Sequence, residues 1–167
     1  MKKFPKSAQC LVLFCLLIGS LWAQETPVTL YNPDEDAAAT IEAAVQEARE
    51  SGKHVFLQVG GNWCSWCIKF HRYIEGDAQL DSLQKAGYVV RKVNYSRENM
   101  NEAVMADLAF PQRFGFPVFV ILDGEGRRIH TQNSALLESG DGYDRNKIQE
   151  FFLHWRPAAL MPESYRK

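Results

Sequence analysis

The chain has 167 residues, 46% of them hydrophobic, with 19 Lys and Arg against 20 Asp and Glu and a formal charge of −1. That slightly acidic balance speaks against nucleic acid as a partner, since binding to phosphates needs a surplus of basic charge. The length suits one domain that buries its own core, and no repeat, low-complexity tract or interior linker interrupts it.

The first stretch reads as a targeting segment. Met1-Lys2-Lys3-Phe4-Pro5-Lys6 is basic, Cys10 to Ile18 is almost wholly apolar, and Leu21-Trp22-Ala23 offers a small residue before a cut near Gln24. This is the pattern of a secretory signal peptide over 1–23, with an uncleaved anchor and a lipoprotein as the competing readings. The apolar run is short for a membrane span, so no stable membrane insertion is expected after cleavage, and the destination is the periplasm or the exterior. Loss of Lys2, Lys3 and Lys6 with no acid takes the formal charge from −1 to −4, and loss of Cys10 and Cys15 leaves only Cys64 and Cys67. In an oxidising compartment a sole dithiol is either oxidised by default or kept reduced by a dedicated donor.

Residues 24–31 form an extended lead containing Pro27. Asn32-Pro33-Asp34-Glu35 has the order of a helix start, with Asn as cap, Pro in the first turn and Glu three residues on. The helix it opens carries Ile41, Val45 and Ala48 on one face and ends at Ser51-Gly52. His54 to Val59 is short, apolar and β-branched between two glycine-bearing turns, as a central strand would be.

After Gly60-Gly61-Asn62-Trp63-Cys64 the apolar spacing changes to Cys67, Phe70 and Ile74, which is helical. Cys64 therefore falls at the first turn of a helix, where unpaired backbone N–H groups and the helix dipole favour a thiolate over a thiol. That makes Cys64 the candidate attacking sulfur. Cys67, one turn on, is placed to attack the mixed disulfide and release the partner. A c-type haem site would need His at position 68, which is Ile, and a zinc site would need a second cysteine pair, which is absent. A purely structural disulfide stays open, although so short a loop gains little entropy from closure.

Asp77 reads as the cap of a further helix with Leu80 and Leu83 inward and Gly87 as its stop. Tyr88 to Tyr95 reads as a strand less buried than the first, because Arg91-Lys92 interrupts it. Asn99 with Glu102 repeats the capping pattern before a short helix. Phe114-Gly115-Phe116-Pro117 leads into Val118 to Leu122, a second central strand. Asp123-Gly124-Glu125-Gly126 then turns the chain back through Arg127 to Thr131. Ser134 to Tyr143 is a polar loop. Ile148, Phe151, Phe152 and Trp155 mark a last helix opened by Asp144 and stopped by Pro157, and 157–167 is a loosely attached tail. Helices alternating with strands imply parallel pairing, and the hairpin adds an antiparallel edge. The expected fold is α/β, a mixed four-stranded sheet with helices on both faces over 32–156.

Trp63-Cys64-x-x-Cys67 at a strand end, followed by Gly115-Phe116-Pro117 opening an apolar strand, resembles the thioredoxin superfamily over most of Lys53 to Trp155. With the leader and the extra N-terminal helix, the chain looks most like exported thioredoxin-like thiol-disulfide oxidoreductases, including periplasmic thiol-disulfide interchange domains. The resemblance implies that Pro117 is cis and packs beside the dithiol, and that Phe116 presents its backbone to an extended substrate. An ordinary trans proline at a strand's first position is the plainer reading of Pro117. The resemblance also implies protein thiols or disulfides as substrates, a redox partner that recharges the pair, and no cofactor or metal beyond the Cys64–Cys67 disulfide itself.

Two positions depart from the family. Gln58 stands where thioredoxins carry a buried acid that takes the proton of the second cysteine, and Ser65-Trp66 replaces Gly-Pro between the cysteines. His71, four residues beyond Cys67 on the same helical face, is a candidate proton relay or an ordinary half-exposed helix histidine. Trp63 and Trp66 form an apolar lip for a partner segment or fill core space. Two other functions compete: a copper-binding or copper-delivery module using Cys64, Cys67 and His71, and a redox-inert binding domain with a fixed disulfide.

Overall fold

In the computed structural model, which describes residues 29–166, helix α1 (Ala37–Ser51) leads into strand β1 (His54–Gly60), then α2 (Ser65–Glu75), α3 (Ala78–Gly87) and β2 (Tyr88–Asn94). There follow α4 (Glu102–Asp107), a 3-10 turn (Pro111–Phe114), β3 (Val118–Leu122), β4 (Arg128–Asn133) and a second 3-10 turn (Ser134–Leu137). The chain closes with a small hairpin of β5 (Glu138–Ser139) and β6 (Gly142–Tyr143), then α5 (Arg145–Trp155), α6 (Pro157–Leu160) and a 3-10 turn (Pro162–Tyr165). The signal peptide expected over 1–23 lies outside the described residues.

The main sheet runs β2-β1-β3-β4, with β1 parallel to β2 and antiparallel to β3, and β3 antiparallel to β4. The two mainly apolar runs are the two central strands, and every residue of β1 and β3 is buried, Gln58 of β1 included. β2, with its Arg91-Lys92 pair, takes one edge and is half-buried in its middle.

Alternation along β1 divides the core. Val55, Leu57 and Val59 join Val118, Val120 and Leu122 beneath α1, whose Ala44 and Ala48 are small enough to let the helix lie close. Phe56 points the other way, into an aromatic layer with Phe119, Phe152 and Phe70 at ring-centroid distances of 5.2, 5.7 and 6.3 Å. Full burial of one such side chain is worth roughly 1.5–3 kcal/mol. Gln58 and Gly60 occupy the same face as Phe56 by this period of two. They therefore lie beneath α2.

Asp77 and Asp144 cap their helices as expected, each accepting from two backbone N–H groups of the first turn. The first helix starts later than the Asn32 pattern implies: Asp36 is the cap and accepts from Ala39 N at 3.0 Å. Asn32 Oδ1 instead accepts from Asp34 N at 3.0 Å, a local turn that competes with capping. Likewise Asn99 does not cap α4. Its Oδ1 accepts from Asn101 N and its Nδ2 donates to Pro33 O, tying this loop to the lead. The stretch 134–143 is more ordered than a polar loop, because Leu137 and Tyr143 are buried and pull the small hairpin onto the aromatic layer.

Candidate functional site

β1 ends at Gly60, and Gly61 to Trp63 turn the chain so that Cys64 becomes the N-cap of α2 in an extended conformation. Cys64 Sγ accepts from the Cys67 backbone N–H at 3.1 Å, so one orphan donor of the helix start points at this sulfur. Cys64 and Cys67 are joined as a disulfide with their Cα atoms 5.2 Å apart. Exposure is unequal: Cys67 is fully covered, whereas Cys64 keeps 5% of its surface open. An external sulfur meets Cys64 first.

Three segments close around the pair. The Phe116–Pro117 peptide bond is cis. The β1–β3 register ends at Val59 opposite Val118, which brings the preceding Pro117 alongside Gly60. Phe116 packs against the cluster of Tyr31, Cys64 and Cys67. It also touches Tyr95 and Trp63, at ring-centroid distances of 4.9 and 5.3 Å.

The two tryptophans have different surroundings. Trp63 is 58% exposed, and its Nε1–H donates to Tyr95 O at 2.8 Å. An apolar-lined hollow of about 530 Å³ opens beside it, with Tyr95 and Met100 among its walls. Trp66 is half-buried, edge-on to Tyr143 at 5.4 Å, with the Lys69 ammonium 4.2 Å above its ring centroid.

Beneath the disulfide, Gln58 is buried and both its amide hydrogens are used. Gln58 Nε2 donates to the Tyr31 hydroxyl at 2.8 Å and to Cys67 O at 3.1 Å. His71 pairs with Glu75, Nε2 to Oε2 at 3.2 Å, and is not hydrogen-bonded to either cysteine. Burial, aided by the Lys92 charge, holds the His71 imidazole below its usual pKa, against an opposing pull from Glu75. Lys92, opposite Gln58 in the β1–β2 register, is also held below the usual lysine range by burial. Gln58, His71, Glu75 and Lys92 line one cavity of about 360 Å³. Among the described residues no group of three or more His, Cys, Asp or Glu side chains is gathered as a metal site, so His71 does not join the cysteines in one.

Sequence reasoning did not find Tyr31 or Asn62. Asn62 clamps the lead: its Oδ1 accepts from Leu30 N and Tyr31 N at 2.8 and 3.0 Å, and its Nδ2 donates to Tyr31 O at 2.8 Å. The position of Asn62 two residues before Cys64 was the available signal, but nothing in the lead announced its partner.

The fold is shared with solved structures of low sequence identity. A disulphide isomerase from Xylella fastidiosa Temecula1 is 20% identical with a TM-score of 0.68, over 77% of this chain and 97% of that one. The DsbD C-terminal domain of Neisseria meningitidis, in its oxidised form, is 17% identical with a TM-score of 0.51, over 71% and 96%. A protein described as DsbH oxidoreductase is 22% identical with a TM-score of 0.51, over 80% and 92%. No match was found among curated proteins. The thioredoxin-like family model matches residues 36–124, more than half of the chain, and the chain belongs to that family.

Proposed function

We propose that the protein is an exported thiol-disulfide oxidoreductase that exchanges the Cys64–Cys67 pair with protein cysteines. The observation that carries this reading is the disulfide at the start of α2, with Cys64 open at its edge and Cys67 covered behind it. In the reduced protein the Cys64 thiolate attacks a substrate disulfide. A Cys64–substrate bond forms and the other substrate sulfur leaves with its electron pair. Cys67 then attacks Cys64, the mixed disulfide breaks, and the second substrate thiol is released. The protein is left oxidised by two electrons and is recharged by a dithiol partner.

Phe116 and Pro117 hold the substrate backbone beside Cys64, and Trp63 supplies an apolar lip. Trp66 supports the helix start through its contact with Tyr143. His71 accepts protons at the wall of the cavity it shares with Gln58. Export follows from the basic-then-apolar pattern of residues 1–23. Insulin reduction tests the assignment: Cys64→Ser abolishes turnover, and unchanged turnover rejects it.

A further inference from the structure

Cys67 must lose its proton before it can resolve a mixed disulfide, and Gln58 beneath it has no ionisable group. A different polar atom stands nearby. A β-carbon built on Gly60 would lie 2.4 Å from Cys67 Sγ and 2.9 Å from the Tyr31 hydroxyl, so the sulfur and the phenol flank one point above Gly60. Tyr31 is 1% exposed and packs in one cluster with Cys64 and Cys67.

The phenol is oriented as well as buried. Its oxygen accepts from Gln58 Nε2, whose other hydrogen is fixed on Cys67 O. Among the described residues no acceptor takes the proton of that hydroxyl in the disulfide form. A buried hydroxyl is costly unless it is used, and the Asn62 clamp holds the backbone of Tyr31 just before Trp63-Cys64.

We infer that the Tyr31 hydroxyl is a positioning group for resolution, donating a hydrogen bond to the Cys67 thiolate in place of an ionisable residue at position 58. The inference rests on the reading of Cys67 as the resolving sulfur. In that step the Cys67 electron pair forms the bond to Cys64 Sγ, and the bond from Cys64 to the partner sulfur breaks. The partner sulfur departs with its pair and takes a proton from solvent; the Cys67 proton has left beforehand to solvent, through the cavity that His71 lines. Tyr31 keeps its proton throughout. Burial, opposed in part by Gln58, pushes its ionisation well above the usual tyrosine range. The titratable groups on the elements around Cys67 include Cys64, His71 and Glu75 on its own helix, Lys92 of β2 in the cavity shared with Gln58, and Tyr31 from the lead, with Tyr143 acting on Tyr31 in turn. β1 contributes only neutral Gln58 and Gly60, and the loop before β3 contributes Phe116 and Pro117.

The test titrates Cys67 alone, in full-length protein carrying Cys64→Ser, by thiolate absorbance or by the pH dependence of alkylation. Adding Tyr31→Phe keeps the ring and deletes the hydroxyl, and it is expected to raise the midpoint of Cys67 by about one pH unit. An unchanged midpoint overturns the inference, even if stability falls, because a purely structural role would move the unfolding curve alone. Should Tyr31→Phe fail to fold, Asn62→Ala, which frees the lead but keeps the hydroxyl, is expected to raise the midpoint too, and no shift there is equally decisive. Since no turnover is measured, this result separates cleanly from failure of the insulin assay.

Discussion

Cys67 Sγ lies directly over Gly60, where a β-carbon would stand 2.4 Å from it. In the oxidised form that sulfur is tied to Cys64 and cannot swing away. Overpacking a tight site costs typically about 1–3 kcal/mol. Gly60→Ala is therefore expected to lower the stability of the oxidised protein by that much, and that of the reduced protein by less, because a free thiol can rotate. Urea unfolding of both forms measures the difference, and equal losses contradict the packing argument.

Trp63 presents most of its ring to solvent beside the disulfide, anchored by its bond to Tyr95 O. An exposed aromatic that docks partner polypeptide matters to large substrates and not to small ones. Trp63→Ala is expected to reduce turnover on a protein disulfide by about tenfold while leaving a small-molecule disulfide unaffected. Equal loss on both substrates would assign Trp63 to shaping the dithiol instead.

His71 and His130 both have imidazoles held below the usual pKa, in each case chiefly by burial; Lys92 adds to this at His71, while Gln132 opposes it at His130. The sign follows from proton linkage. The unfolded chain binds these protons near pH 6.5 whereas the folded chain binds them only at lower pH, so stability falls as pH drops below about 6.5. His130 stacks on Trp155 with ring centroids 4.0 Å apart, and His130→Phe preserves a flat ring there. Melting temperatures between about pH 7 and 5 are expected to fall less for His130→Phe than for the parent. Parallel curves would contradict the shift.

Phe56 touches Phe119, Phe152, Phe151, Tyr88 and Phe70 from the middle of β1. Phe56→Ala is expected to cost about 3–5 kcal/mol in denaturant unfolding. The protein that remains folded should keep its Cys64 reactivity, because this layer supports the sheet beneath α2 without touching the sulfur.

Much of this was legible in the chain. Val118 to Leu122 is a continuous apolar run, and Val55 to Val59 is apolar and β-branched but for Gln58, as strands at the centre of a sheet are. Asp77 and Asp144 are helix caps, and Asp77 caps through one oxygen while the other takes Arg145. Asn32 and Asn99 misled because their side chains close local turns or bridge the lead to the α4 loop, and short polar side chains can do either. The small hairpin at 138–143 was hidden because its buried anchors show no period: Leu137 follows the exposed Leu136, and Tyr143 stands singly among polar residues. Tyr31 was illegible for a different reason: its meaning comes from Gln58, 27 residues away, and from a sulfur further on.

The division of labour between the two sulfurs is tested most directly by trapping. With Cys67→Ser, a protein disulfide substrate should accumulate as a covalent adduct through Cys64 that dithiothreitol releases, while Cys64→Ser should give none. Adducts formed through Cys67 in the Cys64→Ser protein, at a rate matching those through Cys64, would contradict the account.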